Sequence, residues 1–297
     1  MSATLTLSPS AIRQYERCGV QYQVQRLDKI PPPVGPSPAL VRGRSLATAA
    51  ETDLVAVLGA MGAGAARADA DLPLEAVQDA AADAFDAAAR GEDRYVRDDG
   101  TVSETQGPPP AWALHEEDPG ACKDLVVAGL VPAWYAGIAP TVQPAGVEVP
   151  LAAPLAMPEG APEVTLHGRL DVLPADGVLA DLKHTAKSNY LTAKDAAQDG
   201  QLTAYDILYR AAVGVPPVAL GFDTLKVRRP KSLVTVTVER PRSAPRTERE
   251  IAVYVARVAR VAHGIAAGVF VPADRTTDWY CSATFCAWWT VCPFGGM

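Results

Sequence analysis

Residues 166–188 read "LHGRLDVLPADGVLADLKHTAKS", two apolar runs joined by the turn sequence "ADGV". Asp171 in the first run and Asp181 in the second go against strand propensity, and a carboxylate buried without a partner is costly. Side chains alternate along a strand, so Asp181 and Lys183, two residues apart, share a face. The turn predicts a hairpin in which Asp171 lies across from that pair. Glu148, in the preceding β-rich run "AGVEVPLAAPLAM", adds a third carboxylate.

Carboxylates converging on one point repel one another unless a hard divalent cation sits among them, and oxygen ligands select Mg2+ or Mn2+. An ammonium does what a ligand cannot: it orients an attacking water or neutralises charge developing on a phosphoryl oxygen. The combination suits phosphodiester hydrolysis. The bland alternative is an exposed hairpin carrying an ordinary ion pair. The apolar "VLA" before Asp181 favours a central strand instead.

The rest of the chain supplies helices and further strands. Ser8 and Pro9 in "LSPSAIRQYERC" form an N-cap and first helical position. Ala-rich stretches from Ala39 to about Arg90 predict two helices, "RGEDRYVRDDGTVSETQGPPP" an exposed loop, and residues 111–137 another helix. The runs "ALGFDTLKVRR" and "SLVTVTVER" read as strands, with a crossover helix before them ending at Gly214. A long helix, "TEREIAVYVARVARVAHGIAAGV", precedes the tail. The order predicts an α/β fold with an N-terminal helical insertion.

With 297 residues, 48% hydrophobic and 21% charged, the composition is that of a globular protein. Its net charge of −7 argues against wholesale clinging to nucleic acid, although a local basic groove remains compatible. No apolar run reaches the roughly 20 residues of a membrane span and no signal peptide opens the sequence, which predicts a cytoplasmic protein with no membrane partner. Five cysteines, an odd number in a reducing compartment, argue against a disulfide framework.

"GRLDVL", "DLK" ten residues on, and then "QLTAY" resemble the PD-(D/E)XK nuclease superfamily. Within it the resemblance is to the RecB-like exonucleases, which include the CRISPR-associated RecB-like nucleases. It extends to "LSPSAIRQYERC", "GRSLATAAE", "VEV", "GVFVP" and the terminal cysteines. It implies a restriction-endonuclease-like core, a central mixed sheet flanked by helices, that cuts DNA at the sheet's edge with Mg2+ or Mn2+. One RecB-like nuclease domain over 1–297 is expected. It would comprise a first helix with Cys18 (1–30), a helical region (39–137), a catalytic sheet core (141–240), and a C-terminal helix with a Cys-rich clasp (245–297).

Carried across residue by residue, Asp171 and Asp181 are implied metal ligands, Lys183 the catalytic lysine, and Glu148 the acidic position on the preceding strand. Gln201 and Tyr205 match the family's Gln-x3-Tyr pair beside the active site; their alternative reading is a helix face packed on the sheet. One departure stands out. Where the family's Gly-x3-His places an imidazole, this chain has Gly43 and Ala47, with Glu51 a turn later as a substitute. That departure keeps open a second reading, a non-catalytic nucleic-acid-binding or scaffold subunit.

"WYCSATFCAWWTVCPFG" spaces Cys281, Cys286 and Cys292 as Cys-x4-Cys-x5-Cys, with Cys18 far upstream. Soft thiolates hold iron–sulfur clusters or zinc. In the family this arrangement clamps a [4Fe-4S] cluster; zinc, or plain packing under Trp288 and Trp289, are the alternatives. Finally, Lys226, Arg228, Arg229 and Lys231 in "LKVRRPKS" are candidate phosphate contacts to a DNA substrate, or else a solvated turn. The resemblance further implies work alongside recombination or processing partner proteins.

Overall fold

A strand, Leu5–Leu7 (β1), opens the fold, and Ser8 caps the helix after it as its type requires, accepting from the Ala11 N–H. The computed structural model describes residues 4–96, 102–187, 189–228 and 234–295. Helices Pro9–Arg17 (α1), Gly19–Tyr22 (α2), Pro38–Gly62 (α3) and Leu74–Ala89 (α4) follow. The segment expected as a loop contains an antiparallel pair, Glu92–Val96 (β2) and Val102–Gln106 (β3). The helix expected over 111–137 is interrupted: Pro119–Asp124 (α5) and Val131–Gly137 (α6) flank a π-helical turn over Leu125–Leu130.

Pro119–Thr141, most of it within the helix expected over 111–137, is long and apolar enough to cross a membrane by length and composition, against the expectation that no run reaches that length. Here Cys122, Val126, Leu130, Trp134 and Ile138 from that stretch are all buried against α3, α4 and the sheet. It serves as core helix.

Then come Pro144–Pro154 (β4), Val164–Pro174 (β5) and Val178–Thr185 (β6). Two helices replace the single crossover helix, Ala193–Gln198 (α7) and Gly200–Val213 (α8). Asp199 breaks them apart by capping α8, its carboxylate accepting from the Leu202 N–H, and Gly214 ends α8 at φ 84°. Strands Ala219–Arg228 (β7), Thr235–Glu239 (β8) and Arg242–Ser243 (β9), and helix Glu248–Ala266 (α9) with a Thr247–Glu250 capping box, complete the set.

The expected β5–β6 hairpin is not formed. Among the described residues β5 lies between β1 (parallel) and β4 (antiparallel), whereas β6 pairs in parallel with β7, which also holds β8 and β9. The turn works as a fork. Its first limb is tied to the start of β4 by Ala175 N–H donating to Gln143 C=O at 2.8 Å, and its last limb to the start of β7 by Val218 N–H donating to Gly177 C=O at 2.8 Å. Gly177 supplies the φ of 76° that the fork needs. The α/β class with mixed sheets flanked by helices stands; the sheet is divided where the sequence suggested continuity.

Leu7, Leu166, Leu208 and Val258 form one buried core between β1, β5, α8 and α9; Leu170, Leu179, Leu202 and Phe222 form another under α8. We expect Leu166→Ala, at a side chain with no exposure, to lower unfolding stability in urea by about 2–5 kcal/mol, while Val218→Ala, 67% exposed, changes it by less than about 0.5 kcal/mol.

Candidate active site

The fork carries the acids. Flanking pairs Val147 with Val172 and Val149 with Leu170 put Glu148 across from Asp171 on neighbouring strands. Glu148 holds its backbone at φ 52°, in the left-handed region that a non-glycine residue rarely adopts, and Arg169, two residues from Asp171, sits 3.6 Å from its carboxylate. On the far limb, Lys183 Nζ lies 2.7 Å from Asp181 Oδ2, Asp181 being 5% exposed and Lys183 41%. Asp181 is thus at the base and the ammonium reaches toward solvent.

Glu51 of α3, Glu148 and Asp171 line an open cleft together with Ala47, Leu54, Trp134, Ala180 and Leu182. Alternation along β6 puts Asp181 and Lys183 on the face opposite Ala180 and Leu182, so the cleft meets the Asp–Lys pair across the fork rather than containing it. Ala47 leaves room, and Glu51 one turn later brings a carboxylate to the cleft. Asp171 itself is exposed to the solvent of the cleft, while protein crowds the surrounding volume enough to disfavour its charged form.

The electrostatics follow from that enclosure. Burial, then the charges of Asp171 and Glu51, push Glu148 up to about 7 against the pull of Arg169. Burial also raises Asp171, with Lys183 opposing, and pushes Asp181 up to about 6 despite the ammonium beside it. For Lys183 burial works against the charge, but Asp181 and Asp171 outweigh it and its pKa is raised. The lysine therefore stays protonated. The adjoining His184 is the reverse case, held down to about 4 by burial and by Arg42, and is neutral.

Gln201 and Tyr205 sit over this group. The Gln201 amide donates to Tyr205 Oη at 2.8 Å, and burial, followed by the charges of Asp171 and Asp181, raises the phenol so that it keeps its proton. Gly168 makes this approach possible: a Cβ there would come within 2.9 Å of Leu208 Cδ1, and Tyr205 packs just beside it.

Among the described residues no three carboxylate, imidazole or thiol groups stand at mutual metal-ligating distance. The donor set nonetheless fits a hard cation: oxygens only, like-charged, partly desolvated and raised in pKa by one another. The four tail-associated cysteines are likewise neighbours without being at ligating distance. After burial, the charges of Cys18 and Cys292 raise Cys281, and those of Cys18, Cys292 and Cys281 raise Cys286. Cys18, Cys286 and Cys292 pack against Val20, Val24 and Trp288. Four soft donors from two distant parts of the chain, gathered in one neighbourhood, suit a soft metal group as well as they suit packing.

Lys226 corrects the sequence expectation. It is 5% exposed and paired with Glu239 at 2.5 Å, because β7 has β6 on one side and β8 on the other and is interior almost throughout. It offers nothing to phosphate. Arg228, at the strand's end, is exposed. Arg229 and Lys231 lie outside the described residues.

A sequence profile of the PD-(D/E)XK nuclease superfamily matches residues 6–293. The chain belongs to the PD-(D/E)XK nuclease superfamily. Its fold is similar to that of a protein from Eubacterium rectale whose crystal structure is described as that of a candidate exonuclease, with a TM-score of 0.51, 12% identity, and coverage of 92% of this chain and 85% of that one. No curated protein matches the sequence. In this PD-(D/E)XK nuclease the sequence reading finds the Asp–Lys pair and both acids of the neighbouring strands. It misses Arg169, although that residue's even offset from Asp171 places it on the same strand face.

Glu148 and Asp181 keep protons in the folded state that they have released in the unfolded chain, whose carboxyls titrate near 4.5 and 3.8. Their contribution to stability is therefore greatest below about pH 4 and falls as pH rises through about 6 to 7. Without divalent cations, Glu148→Gln should gain thermal stability relative to wild type between pH 5 and pH 8, and parallel melting curves across that range would refute the assignment.

Proposed function

We propose that this nuclease is a divalent-metal-dependent deoxyribonuclease, an exonuclease acting on single strands or duplex ends in DNA recombination, repair or phage DNA processing. The observation that carries this reading is the 2.7 Å Asp181–Lys183 pair set beside Asp171 at the fork. Asp171, Asp181 and Glu148 would hold Mg2+ or Mn2+, with Glu51 in reserve where Ala47 has replaced an imidazole. Such a cation, when bound, polarises the scissile phosphate and acidifies a water ligand.

The chain's own groups do the rest. Lys183, kept protonated by two carboxylates, presents an ammonium to the phosphoryl oxygen as charge builds on it. Releasing Asp181 from the ammonium frees an oxygen lone pair for the cation, so the pair is a resting arrangement of the same residues. Tyr205, protonated and steadied by Gln201, has a hydroxyl to donate toward a phosphate or carboxylate. Arg228, with Arg229 and Lys231 after it, would contact the DNA backbone.

Cys18, Cys281, Cys286 and Cys292 would hold a [4Fe-4S] cluster, zinc being the alternative, which ties the first helices to the tail and stabilises the clasp. A cytosolic location accords with thiols kept reduced.

Labelled single- and double-stranded DNA incubated with Mn2+ tests the catalytic reading. We expect cleavage by the wild type and a loss of about 10²-fold or more in Lys183→Ala. Cleavage indifferent to that change would sink the assigned site, and no cleavage by the wild type would favour a non-catalytic DNA-binding subunit. For the clasp, anaerobically purified protein should be coloured and contain iron, and Cys286→Ser should lose both; colourless, metal-free protein would leave the thiols as packing.

A further inference from the structure

The first helices carry a row of exposed arginines. Helix α1 buries Ala11 and Ile12 and leaves Ser10, Arg13 and Arg17 exposed, positions that follow one another along one helical face. Arg13 and Arg17 stand one turn apart, and like charges at that spacing destabilise a helix. Arg26, also exposed, joins them from a π-helical turn, Gln23–Leu27, a rare geometry that is frequent at functional sites. Its guanidinium lies back across α1 and donates to Gln14 Oε1 at 2.7 Å and to Ser10 Oγ at 3.3 Å, both neutral acceptors.

We infer that Ser10, Arg13 and Arg26 form a phosphate track that holds the backbone of the substrate strand beyond the scissile bond, an inference that rests on the nuclease reading above. Two observations choose this occupant. The first is positive charge left unanswered on a chain whose net charge is −7. The nearest acid on α1, Glu16, gives both carboxylate oxygens to Arg257. Crowding by the protein lowers the Arg26 pKa with the Tyr22 phenol alone opposing, and it lowers that of Arg17, where Tyr280, Cys286 and Cys18 oppose and Arg13 adds to the fall. No carboxylate enters either balance. Guanidinium groups and hydroxyls at a surface are donors to phosphate oxygens.

The second observation is continuity with the active site. A Cβ at Gly168 would meet Tyr205 Cε1 at 3.7 Å and Pro9 Cδ at 3.9 Å, so the first turn of α1 abuts the tyrosine that stands within the field of Asp171 and Asp181. Ser10 follows Pro9, with its Oγ 2.9 Å from that of Ser8, and the row begins there. A strand whose scissile phosphate sits at the acids therefore meets the hydroxyls of α1 and then its arginines. A partner unrelated to the reaction would have no reason to start at the wall of the catalytic site.

The test uses full-length protein carrying Lys183→Ala, so that the strand survives, and fluorescent oligo(dT) titrated over a range of salt. Adding Arg13→Gln or Arg26→Gln should flatten the plot of log affinity against log salt by about 0.7 each, and Arg26→Lys should keep the parent's slope. Arg249→Gln, which removes an exposed arginine at the far end of α9, should leave the slope alone. Unchanged slopes in both track variants, or equal flattening by Arg249→Gln, would overturn the track. Because Arg13 is exposed, flattening in its variant at an unchanged melting temperature marks a lost phosphate contact, not a lost fold. With Lys183 restored and Mn2+ present, Arg13→Gln should raise KM for a long strand about fivefold at 0.1 M salt and leave hydrolysis of bis(p-nitrophenyl) phosphate, too small to reach the row, unchanged. Equal loss on both substrates would overturn the track. If wild type cuts DNA and neither arginine affects the slope, the track alone fails. If the arginines set the slope but wild type never cuts, the nuclease reading fails and the track stands.

Discussion

Like charges confined at a fork govern this molecule. Glu51, Glu148, Asp171 and Asp181 arrive from four separate elements at a place where water is partly excluded, and one ammonium answers them. Glu51 raises Glu148 and Asp171, and Asp171 raises Glu148 and Asp181, so the site is held together by the surrounding fold against its own repulsion. The supports are visible. The cores formed by Leu166 and Leu208 on one side and by Leu179 and Phe222 on the other anchor the two limbs, and the backbone of Glu148 is kept in an unfavourable conformation to aim its side chain.

What could be read directly from the sequence were features with local causes. Ser8 before Pro9, Thr247 before Glu250, and Gly214 after an apolar helix give helix boundaries, because capping involves only residues three or four apart. The two-residue spacing of Asp181 and Lys183 fixes their shared face for the same reason. The acids opposite are chosen on other grounds, Asp171 through a hairpin that does not form and Glu148 through its place on the preceding strand; the β4–β5 register is what brings those two together.

The failures belong to long-range pairing. Nothing within "ADGV" tells that Ala175 will bond toward β4 and Gly177 toward β7; the partners, Gln143 and Val218, are each more than thirty residues away from one another's limb of the fold. The interior position of Lys226 depends on both edges of β7 being occupied, again a tertiary fact. Asp199 looked like one more polar residue in a helix, yet its capping bond divides the crossover in two. Trp279 and Trp288 could not be told apart by type: one is the least protected ring in the tail and the other a core anchor, because only the second reaches Ile30.

That last bond closes a loop of 258 residues, and Tyr280 Oη closes another of 263 by donating to the Arg17 carbonyl. A chain emerging from the ribosome therefore has its first helices in hand long before the partner that covers them exists. Val20 and Val24 stay without the Trp288 side of their cluster until the chain has been made as far as that residue. Closure at such separation is slow in forming, which makes the early segment a natural client for chaperones and makes the tail the latch that ends that dependence.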